Sequence, residues 1–208
     1  MSPLESAHEQ LLALDLARLP PAVRATFVVQ PLLSVPIEAD GEGFKVVSWA
    51  SLPAAAPRAL FAKLGVKSWR DGGSLRVMYA GVPMRPALES MLAAPTRAQR
   101  LAARAWLDND VPLELHLFPY VDFTDISESR WLVDPRAINC LSVCERGASA
   151  TRLRGAVPHM HRLAQAIGTA LPPRRTLVDI AGLPDGSVRL VDINPGLSLS
   201  EIDALTSA

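Results

Sequence analysis

Asp179, Asp192 and Asn194 are the residues on which this chain would build chemistry. They lie in TLVDIAGLPDGSVRLVDINPG, residues 176–196, which reads as two apolar strands around a turn. Pro184-Asp185-Gly186 is a strong turn signal, so 176–183 and 187–195 should pair antiparallel. A turn centred there leaves Asp179 and Asp192 nearly equidistant from it, as cross-strand neighbours on one face. Two carboxylates in apolar strands repel each other and lose hydration, and a divalent cation relieves both penalties. Asn194, two residues beyond Asp192, points the same way and adds a neutral oxygen. These are hard ligands, suited to Mg²⁺ bridging a nucleotide's phosphates. The plainer alternative is a hairpin whose acids cap turns or pair with arginine.

Several elements must position these groups. The spacing of apolar residues predicts a helix over 4–17, stopped by Pro20-Pro21. Strands are expected from Ala25 (ATFVVQPLL), at 44–49 after the turn-like ADGEG, at 59–66 and at 74–81, with KSWRDGG as a polar turn. Residues 86–107 hold two helical stretches, with Thr96 as a cap for the second. LELHLFPYV (113–121) has strand composition, and 128–134 with 136–144 read as a hairpin across Asp134-Pro135. A basic loop, 145–157, leads to a helix over 159–171, and SLSEIDAL could add a last helical turn. Strands, helices, strands, a helix and a hairpin in that order argue α+β rather than a doubly wound sheet.

Composition narrows the function classes. The chain has 208 residues, 21 basic against 21 acidic, so no global field favours nucleic acid. Only Lys45, Lys63 and Lys67 are lysines, which makes each a residue to explain. Two cysteines, Cys140 and Cys144, neither build a disulfide scaffold nor show metal-ligand spacing, and read as small core residues on one strand face. His159 and His161 read as surface histidines. Trp49, Trp69, Trp106 and Trp131 read as core or lobe-interface residues. Arg146, Arg152 and Arg154 make the 145–157 loop basic, solvated or able to close over a phosphate or carboxylate. The start of the chain lacks a secretory pattern, and no apolar run approaches the ~20 residues of a membrane span. A cytoplasmic protein is expected. Neither Gly-rich nucleotide fingerprint occurs, nor H-E-x-x-H or G-x-S-x-G.

VDIAGLPDGSVRLVDINPG resembles the closing hairpin of ATP-grasp enzymes. There, a strand carrying an acid precedes one ending apolar-acid-apolar-Asn-Pro, and these residues hold magnesium. Asp192 stands where Glu is commoner. That choice is similar to the branch of cell-division-cycle proteins that assist assembly of a eukaryotic translation initiation factor. ALFAKLGVKSWRDGG resembles that branch's Lys-Leu segment ending in basic-Asp. The match implies that Lys63 reaches ATP phosphates, with Arg70 and Asp71 at the basic and acidic positions. ESRWLVD resembles its Glu-Phe-Arg-x-Phe-Val strand, with Glu128 and Arg130 in place and Ser129 where Phe is usual. LELHLFPYV would then run through the interlobe hinge, with Leu117, Phe118 and Tyr120 as candidates for adenine contact. The resemblance spans 59–196 as ordered short motifs, and the pieces also resemble small bacterial and phage ATP-grasp proteins.

The resemblance implies an ATP-grasp fold: two small lobes with antiparallel sheets clamping a nucleotide cleft, divided as 1–112 and 113–208. It implies Mg-ATP as cofactor and a carboxylate–amine ligase working through an acylphosphate. In that chemistry Lys63 meets phosphate as a point charge. Arg130 offers a planar fork to a γ-phosphate or acylphosphate oxygen, and Glu128 orients Arg130 or ribose. The plainer alternatives are a snorkelling Lys63 and a structural Glu128–Arg130 pair. The substrate would be a small-molecule or peptide carboxylate. The sequence shows neither the glycine-rich phosphate loop of larger ligases nor a substrate domain of the usual size, which raises a second function: an ATP-binding assembly module that docks a protein partner. A third is an interaction protein that binds no nucleotide.

Overall fold

The computed structural model describes residues 3–65, 67–68, 70–71, 74–123, 126–144, 150–172 and 174–197. The fold is α+β with two antiparallel sheets, as expected. The chain forms two compact units: one runs to Gln30 and resumes at Val121, and the other spans Pro31–Tyr120. The boundary drawn at 112/113 from sequence thus falls after Tyr120, and the N-terminal stretch joins the later unit. The reason is pairing: strand 113–119 hydrogen-bonds to strands of the middle of the chain.

In the unit 31–120 the elements are β1 (Leu33–Asp40), β2 (Gly43–Val46), β3 (Leu60–Leu64), β4 (Lys67–Ser68), β5 (Arg70–Asp71), β6 (Ser74–Leu75), β7 (Val77–Met78), α1 (Met84–Ala93), α2 (Arg97–Leu107) and β8 (Leu113–Pro119). The main sheet has the order β2-β1-β8-β3-β4, with β7 also on β3. Leu60, Ala62 and Leu64 of β3 and Leu115 and Leu117 of β8 are almost fully buried. Trp106 of α2 closes against Gly65, whose φ of +52° and 2.4 Å clearance to the indole exclude any side chain. Thr96 caps α2 as expected: its Oγ accepts from Gln99 N–H, while Gln99 Oε1 accepts from Thr96 N–H.

Four expectations shift here. The strand expected from Ala25 is replaced by a single bridge at Phe27 to Leu190, and the strand lies at Leu33–Asp40 instead. Pro36 of that strand sits just past the end of β2, where its carbonyl accepts from Val47 N–H. The strand expected at 44–49 stops at Val46. The expected strand at 74–81 is two short pieces, and the expected turn KSWRDGG contains β4 and β5; Trp69 lies outside the described residues.

The other unit holds α3 (Pro3–Ala13), α4 (Pro21–Arg24), β9 (Ser127–Asp134), β10 (Ala137–Cys144), α5 (Ala150–Ala170), β11 (Thr176–Gly182) and β12 (Val188–Pro195). Its sheet has the order β10-β9-β11-β12. Helix α5 packs across one face of it. Val178 and Ile180 of β11, Trp131 of β9 and Met160 and Ile167 of α5 form the core. The close fit depends on Gly168: a Cβ there would stand 2.3 Å from Val133 Cγ1. Helix α5 begins at Ala150 rather than 159 and runs through Pro158, so residues 150–157 are helical and not loop. The side chains of Arg152 and Arg154, Arg146 and the tail SLSEIDAL lie outside the described residues.

Strand β10 forms an edge, and Cys140 on it is exposed rather than core; the side chain of Cys144 is outside the description. His159 and His161 are exposed, as expected. Trp106 and Trp131 are buried, and Trp49 is half-buried under Arg85. No helix among the described residues is long and apolar enough to cross a membrane.

Candidate functional site

The closing ribbon pairs as its sequence demands, with Asp179 directly opposite Asp192. The turn at 183–187 is closed by Gly186, at φ +84°, and by Asp185, whose carboxylate accepts from Ser187 N–H and Oγ. One irregularity tunes the face. Ile180 pairs with Leu190 while Asp179 pairs with Asp192, so Val191 is an extra residue. Such a bulge bends a strand and re-aims its side chains. Val178, Ile180, Leu190 and Ile193 are buried in the core. Asp179, Asp192 and Asn194, at alternate positions, share the opposite face.

Strand β9 completes a charged row. Arg130 lies opposite Asp179, so Arg130, Asp179 and Asp192 stand side by side across three strands. Arg130 Nε donates to Asp179 Oδ1 and its Nη2 to Oδ2, each at 2.7 Å. This is the two-pronged grip that matches guanidinium to carboxylate. The partners differ in exposure: Asp179 is only 4% exposed, while half of the Arg130 side chain meets solvent. The guanidinium pKa is raised above its ordinary value. Its hydrogen bonds to Asp179 are the main cause, opposed by partial burial and reinforced by the charges of Asp179, Asp192 and Glu128. Glu128 lies two residues before Arg130 on the same strand. Asp192 Oδ1 accepts from Ile193 N–H at 3.0 Å.

These residues fit a divalent cation in their donor chemistry. Asp192 and Asn194 bring a carboxylate and an amide oxygen to one side of the ribbon. Asp179 supplies a second carboxylate, already gripped by Arg130. The charges of Asp179, Asp192 and Glu128 all act on the one guanidinium of Arg130. Pairing with arginine, the plainer of the expected readings of this face, holds for Asp179.

The other unit holds Lys63, and it does not snorkel. It is 5% exposed on β3, and its ammonium lies 5.5 Å from the Phe118 ring centroid and 6.0 Å from that of Phe61. These rings are themselves stacked at 5.3 Å. Aromatic faces attract a cation through their quadrupole, which suits a buried ammonium. Opposite Lys63 on β8 is His116, 2% exposed, and opposite His116 on β1 is Ser34. Ser34 Oγ and His116 Nδ1 are 2.8 Å apart. The row Ser34–His116–Lys63–Ser68 thus crosses four strands.

His116, Ser34 and Phe61 were not foreseen as site residues. The signal was available in LELHLFPYV, where alternation puts His116 and Phe118 on one face of an otherwise apolar strand. Leu117 and Phe118, expected at an adenine, are 0% and 2% exposed, and Tyr120 is 41% exposed. The Leu117 carbonyl accepts from Leu32 N–H, and Tyr120 N–H donates to the Ala59 carbonyl. Those two backbone groups are committed within the unit, so an adenine contact from this strand would use others. Phe118 instead acts through its ring, on Lys63. Arg70 and Asp71 form β5, but their side chains lie outside the described residues.

The fold is shared with solved proteins. The structure of Cdc123 from Schizosaccharomyces pombe superposes with a TM-score of 0.59 at 18% identity, covering 95% of this chain and 92% of that one. A C-terminally truncated form of the same protein gives 0.52 at 18% identity, over 94% and 92%. No protein-family model matches the chain, and no curated protein matches it. The likeness of fold extends over nearly the whole of both chains.

Proposed function

We propose that this chain binds Mg-ATP and uses it as an ATP-grasp ligase, activating a small-molecule or peptide carboxylate as an acylphosphate for attack by an amine. The row Arg130–Asp179–Asp192, with its excess of carboxylates on one sheet face, carries the reading. Asp179, Asp192 and Asn194 would hold magnesium, which when bound screens phosphate charge. Arg130 would grip a phosphate oxygen, Glu128 would orient it, and Lys63 would contribute a further phosphate contact. Phosphoryl transfer asks chiefly for positioning and charge neutralisation, which such residues supply. A cytoplasmic setting goes with this reading.

A second reading is favoured by the likeness to Cdc123, which covers nearly all of both chains. The chain would hold Mg-ATP and use it to dock or assemble a protein partner, as the resemblance to the cell-division-cycle branch implies.

Thermal unfolding with Mg-ATP, with ATP plus chelator and with Mg-ADP tests the shared premise, because a bound nucleotide raises stability by mass action. A magnesium-dependent rise that disappears in Asp192→Ala is expected. No rise under any condition would remove both readings. ADP and phosphate release that depends on an added acid and amine selects the ligase. A tight partner with no turnover selects the assembly module.

A further inference from the structure

The ionic row does more than collect ligands. Asp179 lies between Val178 and Ile180, both fully buried, and is itself 4% exposed. A carboxylate in that position needs a counter-charge, and Arg130 provides it with both prongs at 2.7 Å. Two further carboxylates share this neighbourhood: Asp192 stands directly opposite Asp179, and Glu128 lies on the strand of Arg130. The guanidinium is half-exposed and sits on a long side chain, so on leaving Asp179 it would itself be hydrated, while the carboxylate would need another counter-cation. A guanidinium fork that uses both oxygens competes with any other cation for the same carboxylate.

We propose that Arg130 is an exchangeable counter-cation: seen here neutralising Asp179, it yields that carboxylate to a divalent cation and so frees its guanidinium for the phosphate of the nucleotide. The inference rests on the Mg-ATP reading above and adds an order to it. Arg130 holds the face together, opposes uptake of metal alone, and favours metal that arrives with phosphate. The exchange moves charge without breaking a covalent bond.

The test separates metal from nucleotide. Calorimetric titration with Mg²⁺ alone, and then with ATP in saturating Mg²⁺, is run on wild type, Arg130→Gln and the double variant Arg130→Gln/Asp179→Asn. Removing the competitor should tighten binding of Mg²⁺ alone by about tenfold or more, the scale of one lost charge-assisted interaction. ATP affinity should fall by about the same factor, because the phosphate loses its fork. The double variant should lose the gain in metal affinity. A purely structural arginine would weaken both ligands together, and that result overturns the exchange. Should Arg130→Gln fail to fold, Arg130→Lys replaces it: the charge stays, the two-pronged grip goes, and a smaller gain for Mg²⁺ is expected. Unchanged or weaker Mg²⁺ binding in the folded variant, with wild type binding Mg-ATP, sinks the exchange and leaves the function standing. Wild type taking up neither Mg²⁺ nor Mg-ATP sinks both.

Discussion

The two units keep a buried charge in opposite ways. Around Asp179 charge is met by charge: a guanidinium grips it and further carboxylates crowd the same face. Around Lys63 the ammonium lies near two ring faces, and the cross-strand neighbours of Lys63 lead to His116 and Ser34. The first arrangement is a tight, charge-assisted grip. The second is weaker per contact, since cation–π attraction contributes about 0.5–2 kcal/mol. The contrast teaches that burial alone does not tell how firmly a charged side chain is bound to its fold. Both Asp179 and Lys63 are about equally hidden, and their removal should have different consequences.

The largest effect should come from cutting the ionic pair on its exposed side. Arg130→Met leaves Asp179 buried without its fork. Breaking a buried pair this way costs roughly 3–5 kcal/mol. Arg130 is half in solvent, so a loss of about 2–3 kcal/mol is expected. Urea unfolding measures it. Asp179→Asn should cost less, because it removes the buried charge itself and leaves the arginine near water. Equal losses for the two variants would erase the asymmetry on which the comparison rests.

The next effect tests whether the acidic face depends on what packs behind it. In Gly168→Ala the new methyl meets Val133 on β9, three residues from Arg130. Overpacking of this kind costs about 1–3 kcal/mol. Because β9 carries Arg130, the same variant should also weaken Mg-ATP binding, which no residue of the Lys63 row can do through α5. Smaller still is Ser34→Ala. It removes the hydroxyl partner of His116, and a loss of about 1 kcal/mol in the same unfolding experiment is expected. A clearly larger loss would mean that the polar row around Lys63 is as tightly coupled as the ionic one.

How much of this was readable beforehand follows the same divide. The closing ribbon was legible because turn, alternation and register are local properties: Pro184-Asp185-Gly186 sets the centre, and Asp179 then falls opposite Asp192. Its partner Arg130 was legible only as a motif position, since the pairing of β9 with β11 joins residues 49 apart. The plainer expectation for this hairpin, an acid paired with arginine, holds for Asp179. The fold class was legible from element order. The strand Leu33–Asp40 was not, because Pro36 masks it until the end of β2 is known. Helix α5 was cut short in the reading because Pro158 normally breaks a helix. Cys140 was misplaced because composition cannot tell an edge strand from a central one. Nor could spacing reveal that the rings of Phe61 and Phe118 would receive Lys63, since it gives a shared face and not a side-chain path.

Lys63→Met gives the smallest change in stability and the sharpest separation of the two regions. Methionine keeps the length of the stem and removes only the ammonium. An ammonium beside the Phe61 and Phe118 rings gains some cation–π attraction and has lost most of its hydration. Removing the ammonium also removes its desolvation penalty. The expected change in unfolding free energy is therefore within about 0.5 kcal/mol of zero or favourable. The same variant should weaken Mg-ATP binding by roughly tenfold or more, because a charge-assisted phosphate contact is gone. The double result matters more than either half. A residue that the fold does not need, kept charged at the cost of hydration, is kept for something that arrives later. A large loss of stability with unchanged nucleotide affinity would reverse the assignment, making Lys63 a structural cation and leaving the acidic face of the other unit as the sole candidate site.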